Sequence, residues 1–571
     1  MKYSWSTVLA FATLAARAEQ IPLFRESQDD GLHHFDSSIK KVAVIGAGVS
    51  GLQIAAELID HNFTVRLFDR APGPGGNWLY TEETQIRESY PDAPVGADIH
   101  IPKEIPRVKY YAEGDEGRTL DERWREHWQP RPIWNSLTTN SPAVITELSE
   151  VPYKPDHTWV ISAHLIQSHV RAYAAVHRLG PHDTPSPDSH LRFSPVTSYS
   201  TRVVHATRRP QSEAAADGEG KWTLTLQKYT YLPESARLKA EWWTEHFDAV
   251  VIATGGYDSV HVPEIKGIKE WSEVKQPEQG TGVSETFSIY HSVHYRRPER
   301  YADKVVLIVG PGTSGSEVAR DIGPHVKKIY SSYRNTTPIE KQHPFQQRAI
   351  GRFPVDKTEW IPEIREFRPL KGGKGIKHGE IVLINGTIIL ATGYKRLNAF
   401  LDDELRNAYG KPPRDIFGGK TIRNLHWTGH FIPDPTLVFA NVRPWNLEKY
   451  QALGIAKVFE GTAFLPNEEK RREEYAPGKF SGLWGTRPTE ALIRQYVTWL
   501  NNESLQHGGR LVSPLPIEQR EVFSYYSNQE WKQGYIHNNN FTSFEELGKE
   551  DWDWYHASDE ANELWEQGLD W

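Results

Sequence analysis

The chain predicts an α/β fold with two Rossmann-like dinucleotide-binding units, and two observations carry that prediction. Glycine fingerprints stand at Gly46-Ala47-Gly48-Val49-Ser50-Gly51 and at Gly310-Pro311-Gly312-Thr313-Ser314-Gly315. Each lies directly behind a run of β-branched residues and ahead of a helix-like stretch. In that order the glycines allow a tight turn and let the backbone approach a pyrophosphate, whose charge rests at the positive end of a helix dipole. One such fingerprint is weak evidence; two in matching context imply two dinucleotides and a redox enzyme.

The first unit opens with the buried-strand pattern Val42-Ala43-Val44-Ile45 and passes through Gly46, Gly48 and Gly51 into the helically spaced apolar residues from Leu52 to Ile59. Thr64 to Phe68 reads as its second strand, and Asp69 follows, 18 residues beyond Gly51, where a carboxylate can accept hydrogen bonds from a ribose diol. A methyl added at Gly46 is expected to occupy the pyrophosphate's approach. Residues 84–130 are rich in Pro, Glu and Arg, lack clear periodicity, and read as an insertion or lid. Polar loops are expected at 181–190 and 209–220, and a strand pattern returns at Trp222 to Leu226.

The second unit begins at Val305-Val306-Leu307-Ile308-Val309, turns through Gly310, Gly312, Thr313 and Gly315, and continues helically from Glu317 to Ile322. Its next strand, Lys328 to Tyr333, is followed by Arg334. A guanidinium there can pair with a 2′-phosphate that a carboxylate would repel, so FAD is expected in the first unit and NADPH in the second. Beyond residue 470 the sequence offers helical material around Thr489 to Leu500 and an acidic, tryptophan-bearing tail suited to covering an apolar surface.

Bulk composition narrows the function classes. With 66 basic and 74 acidic residues mixed along 571 positions and a formal net charge of -8, the chain has no basic stripe for nucleic acid. Cysteine is absent, which removes disulfides, a Cys-x-x-Cys redox pair and any thiolate metal site, and no metal is expected. The start has the layout of a secretory signal at residues 1–18: Lys2, the apolar run Val8 to Ala16, then Ala16-Arg17-Ala18. Sequons at Asn62, Asn335, Asn385, Asn502 and Asn540 agree with a lumenal or secreted glycoprotein, and no other stretch reaches the ~20 apolar residues of a membrane span.

With these elements in place the chain, from about residue 40 to about 465, resembles the flavin-containing monooxygenases, the class that includes Baeyer-Villiger and N-hydroxylating relatives. Gly75-Gly76-Asn77-Trp78 resembles the family's GGxW segment, which lies against FAD. Ser136-Leu137-Thr138-Thr139-Asn140-Ser141-Pro142 resembles its "SL.TN.P" stretch, and the resemblance gives Asn140 the role of holding the oxygenated flavin. Ala253-Thr254-Gly255 and Ala391-Thr392-Gly393 resemble the paired ATG motifs between nucleotide domains, which implies that the NADPH domain is inserted into the FAD domain. Phe287 to Tyr295 resembles the second half of the FxGxxxHxxxY signature but lacks its glycine.

The resemblance implies the following domains: FAD-binding residues 38–258 with the insertion 84–130, an NADPH-binding domain at 259–385, a second FAD-binding part at 386–470, and an extension at 471–571. It implies reduction of FAD by NADPH, addition of O2 at the flavin C4a, and transfer of one oxygen atom to a small organic substrate by hydroxylation or Baeyer-Villiger chemistry. The signal, insertion and extension resemble secreted fungal members of polyketide pigment clusters, of aurofusarin and naphthopyrone type, which points to an aromatic polyketide. The alternative is a secreted flavoprotein oxidase or a non-catalytic accessory subunit partnered with oxidases.

Overall fold

The computed structural model describes residues 30–519, except 87, 91–97, 140, 149, 154–156, 159, 182–195, 211, 215–217, 258, 274–288, 335–336, 342–343, 369–386, 396–397, 402–416, 419–420, 423, 428, 441–444, 475–488, 514–515 and 517–518. Three sheets organise these residues. The first has seven strands in the order Leu425–His426, His430–Phe431, Leu437–Phe439, Ala249–Ile252, Lys41–Ile45, Thr64–Phe68 and Thr197–Ser198. From Leu437–Phe439 to Thr197–Ser198 its strands run parallel.

Lys41–Ile45 lies between two neighbours, with Val42 opposite Val65 on one side and Ala249 on the other. From Val42 to Ile45 it is apolar without alternation because both sheet faces are covered. On one face Val42 and Val44 pack with Leu52, Ala55 and Ala56 of helix Val49–Asp60 and with Ala452 and Ile455 of helix Glu448–Glu460. On the other, Ala43 and Ile45 meet Trp222, Leu224, Leu226 and Phe247. Those residues belong to a four-stranded antiparallel sheet ordered Arg107–Tyr111, Arg237–Phe247, Trp222–Leu232 and Thr201–Arg208.

That antiparallel sheet changes the reading of the insertion. Within residues 84–130, Arg107–Tyr111 is its edge strand and Leu120–Trp128 is a helix. The helix starts at a capping box: the Glu122 amide donates to Thr119 Oγ1 at 3.0 Å, and the Thr119 amide donates to Glu122 Oε2 at 2.8 Å. The segment is thus built into the first domain.

The second sheet is parallel throughout, in the order Ile289–His291, Thr387–Leu390, Val305–Val309, Lys328–Ser332 and Thr358–Ile361. The chain leaves the first sheet at Ile252, builds the second, and rejoins the first at Leu425. The second domain is therefore inserted in the first. Thr387–Leu390 pairs with Val305–Val309, so the passage back lies beyond the expected boundary at residue 386. Its two crossings touch as a short antiparallel ribbon, Tyr394 opposite Val260 and Lys395 opposite Ser259.

Helix Thr489–His507 continues past the expected end at Leu500 and sets Tyr496 against Gly454, where an added Cβ would lie 1.9 Å from the tyrosine hydroxyl. Among the described residues no helix is long and apolar enough to cross a membrane. The expected signal at 1–18, three sequons (Asn335, Asn385, Asn540) and the tail from 520 lie outside the described residues. Asn62 is exposed in a turn at φ 63 with Thr64 also exposed, whereas Asn502 sits within a helix and its partner Ser504 is buried.

Candidate functional site

The two glycine turns are built alike. Gly46 donates its amide to Phe68 O at 2.7 Å, and Gly310 donates to Ser332 O at 3.2 Å. Both glycines have positive φ, +111 and +99, and a Cβ on either would strike the carbonyl oxygen of an ATG alanine, Ala253 at 2.5 Å or Ala391 at 2.9 Å. A Cβ on Gly51 would lie 1.8 Å from Gly46 O, and one on Gly315 would lie 2.1 Å from Gly310 O. Each ATG segment therefore closes the back of its own glycine turn. The expected clash of a Gly46 methyl with a pyrophosphate is corrected accordingly: the methyl would meet Ala253.

The middle glycines differ. Gly48 and Gly312 are extended N-caps of helices Val49–Asp60 and Thr313–Ile322. A Cβ on Gly312 meets nothing within 4 Å, and one on Gly48 meets only Gly76 Cα at 3.5 Å. These are the faces left open to a ligand. Thr313 is exposed at the start of its helix. Gly76 faces Gly48 at φ +54, where its own Cβ would come within 2.6 Å of Gly48 Cα. Gly75 donates to Ala47 O at 3.0 Å, so the Gly75 to Trp78 segment is fastened to the first turn. Asn77 Nδ2 lies 3.6 Å from where a Gly255 Cβ would stand, and Trp78 meets Trp445 edge to face at 5.2 Å.

Asp69 is buried, and its carboxylate accepts from the Ala47 amide at 2.6 Å and the Ala71 amide at 2.8 Å. It holds the glycine turn as well as standing at the strand end. Arg131 comes within 3.9 Å of it, is 7% exposed, and keeps its Nε without a partner. In the second unit Ser332 corresponds to Phe68 by register, so Tyr333 takes the place of Asp69. Arg334 follows and is exposed.

Between the two domains run contacts that sequence reasoning missed. Glu88 accepts from the His291 amide and pairs with His294 Nε2 at 2.6 Å. Burial pushes its carboxyl up, but the His294 charge and hydrogen bond win and hold it at about 2. His291 is fully buried, hydrogen-bonds Gly393 O at 3.1 Å, and is pushed down to about 4 by burial, hence neutral near pH 7. The 134–142 segment reaches the second domain through the Asn135 amide to Arg296 O at 3.0 Å and Ser136 Oγ to Asp321 at 2.6 Å. Asn140 itself, like Phe287, lies outside the described residues.

Comparison with known proteins decides the family. Residues 44–109 match the NAD(P)-binding Rossmann-like domain, and residues 197–343 match the flavin-binding monooxygenase-like family. The flavin-containing monooxygenase iboF of Amanita muscaria is 32% identical over 544 residues, covering 89% of this chain and 98% of its own. This chain belongs to the flavin-containing monooxygenase family. Flavin-containing monooxygenase ustF2 of Aspergillus flavus is 28% identical across 81% of this chain and 92% of its own. The fold is shared with the S-allyl-L-cysteine S-oxygenase of Allium sativum, at TM-score 0.56 and 19% identity over 93% of this chain and 100% of that one. Tmm from Pelagibacter shares it at TM-score 0.55 and 16% identity, over 86% and 92%.

As a flavin-dependent monooxygenase of this family the protein uses FAD and NADPH. The first cradle fits a dinucleotide. Gly48 leaves a face that a side chain would fill, Gly76 lets its segment close against that turn, the helix N-terminus opens beneath it, and buried Arg131 keeps an unpartnered Nε beside Asp69.

Proposed function

We propose that the protein is an NADPH- and O2-dependent FAD monooxygenase that inserts one oxygen atom into a small organic substrate and releases the other as water. The observation that carries this reading is the repeated turn, in which Gly48 and Gly312 alone of the paired glycines present an open face. FAD supplies the redox chemistry, accepting a hydride equivalent and passing electrons to O2. The chain's part is to bind, orient and exclude water. Gly46, Gly48, Gly51, Asp69, Gly76, Asn77 and Trp78 would hold FAD, and Gly310, Gly312, Thr313, Gly315 and Arg334 would hold NADPH. Tyr333 in place of an acid supports the 2′-phosphate preference, because no carboxylate follows that strand to repel it. The family resemblance gives Asn140 a part in holding the flavin.

For the substrate we hold to an aromatic polyketide, oxidised by hydroxylation or Baeyer-Villiger chemistry. Trp78 and Trp445 form the aromatic pair beside the first cradle, an edge against which a flat ring can stack. A cleaved signal and glycosylation at exposed Asn62 would place the enzyme in the secretory lumen, where NADPH is supplied. The test is incubation of the purified enzyme with NADPH, labelled O2 and a panel of phenolic polyketides, read by mass spectrometry. One labelled atom per product supports the reading; NADPH consumption without incorporation for any substrate refutes it.

A further inference from the structure

Glu448 has no place in the site described so far, yet it is 0% exposed, and neither carboxyl oxygen has a well-formed hydrogen bond. It opens helix Glu448–Glu460, directly after the short Trp445–Leu447 turn. Trp445 meets Trp78 of the FAD segment, and its carbonyl accepts from Gln53 of helix Val49–Asp60 at 3.2 Å. The polar side chain acting on Glu448 is Ser50, second residue of that same helix. A buried carboxyl thus adjoins the helix turn that would receive the cofactor's pyrophosphate.

Two forces oppose each other here. The N-terminus of its own helix favours a carboxylate, and so does Ser50, but burial disfavours it. Burial wins, and the group is pushed up to about 8. Among the described residues no cation acts on Glu448. Lys449 follows Glu448 on the same helix and is itself lowered by burial. From helix Thr489–His507 the facing group is Tyr496, raised by burial and by Glu448 and hence neutral. The polar side chain of the Trp445–Leu447 turn is Asn446, whose amide donates to Gln519 at 3.0 Å. On helix Val49–Asp60 the charged residues are Glu57 and Asp60, at least seven positions past Ser50, about 10 Å along the axis. A pyrophosphate at Ser50 would add further negative charge.

We propose that Glu448 is a positioning residue of the FAD site, a neutral carboxylic acid beside Ser50 that must keep or take up its proton for the cofactor to stay bound. The proposal rests on the reading of the first glycine turn as the FAD site. Linkage gives its consequence: because FAD favours the protonated form, protonation favours FAD by the same factor.

The test is equilibrium dialysis of the full-length holoprotein against FAD from pH 6 to pH 10. The wild-type dissociation constant should be level at the acid end and rise about tenfold per pH unit above about 8. Glu448→Gln should stay level throughout. Should that variant fail to fold, Ser50→Ala serves, since removing the group that lowers the Glu448 pKa should move the rise to higher pH. A wild-type constant independent of pH, or the same rise in Glu448→Gln, overturns the proposal. FAD retained at no pH overturns the cofactor reading and the proposal with it.

Discussion

Substituting Gly312 by alanine separates what the second glycine turn does for the fold from what it does for its ligand. At φ -74 and ψ -168 the backbone is open to any residue, and the new methyl meets nothing within 4 Å. The folding cost should be about 1 kcal/mol or less, that of alanine at a helix N-cap. Binding is another matter, because the methyl stands on the face that a pyrophosphate must approach to reach the amides of helix Thr313–Ile322. Losing one charged hydrogen bond costs about 1.5–3 kcal/mol, which is about ten- to a hundredfold in NADPH affinity. Gly315→Ala is the contrast: its methyl would lie 2.1 Å from Gly310 O and 3.2 Å from Ala391 Cβ. Neither neighbour can yield without moving a helix or strand, so the loss falls on folding, by about 1–3 kcal/mol or more. The assay is the NADPH dependence of anaerobic flavin bleaching, with FAD content and melting temperature measured alongside. Gly312→Ala with an unchanged NADPH dependence would refute the reasoning.

Three further outcomes are expected. Arg334→Ala should raise the NADPH requirement about tenfold, one phosphate contact, while leaving FAD content and the response to NADH as they were; equal losses for both nucleotides would contradict its assigned role. Asn140→Ala should still oxidise NADPH but yield hydrogen peroxide at the expense of product, read by peroxide titration against product yield. Glu88→Gln should cost about 1–3 kcal/mol at pH 7 by urea unfolding. Because the folded Glu88 carboxyl is held at about 2, below its ordinary 4.5, its stabilisation is present above pH 4.5 and fades as pH falls toward 2. The stability gap between wild type and Glu88→Gln should therefore narrow over that window.

What was legible in the sequence was what the backbone demands locally. Gly46, Gly51, Gly310 and Gly315 announce themselves because only glycine tolerates their φ or their close neighbours, and the apolar runs on either side fix strand and helix. The reading of 84–130 as an unpatterned insertion or lid passed over the capping box at Thr119 and Glu122, and it placed no strand where Leu238, Ala240 and Trp242 turn their side chains inward. The pairing of Arg107–Tyr111 with Arg237–Phe247 is what joins the insertion and the stretch after Leu226 in one sheet. The boundary near Thr387 was not legible, because a short apolar strand looks the same in either parallel sheet. Nor were the residues that join the domains, since their roles exist only through distant partners: Glu88 and His294 are 206 positions apart. Glu448 is hidden differently, as an ordinary helix-start acid whose meaning comes entirely from its burial.

The most direct test of two nucleotides working on one chain is to mix the FAD-loaded protein with NADPH in the absence of O2 and follow the flavin's visible absorbance. The account predicts full bleaching at a rate that saturates with NADPH. FAD that stays bound and oxidised in excess NADPH would contradict it, and would leave the second glycine turn without the reductant assigned to it.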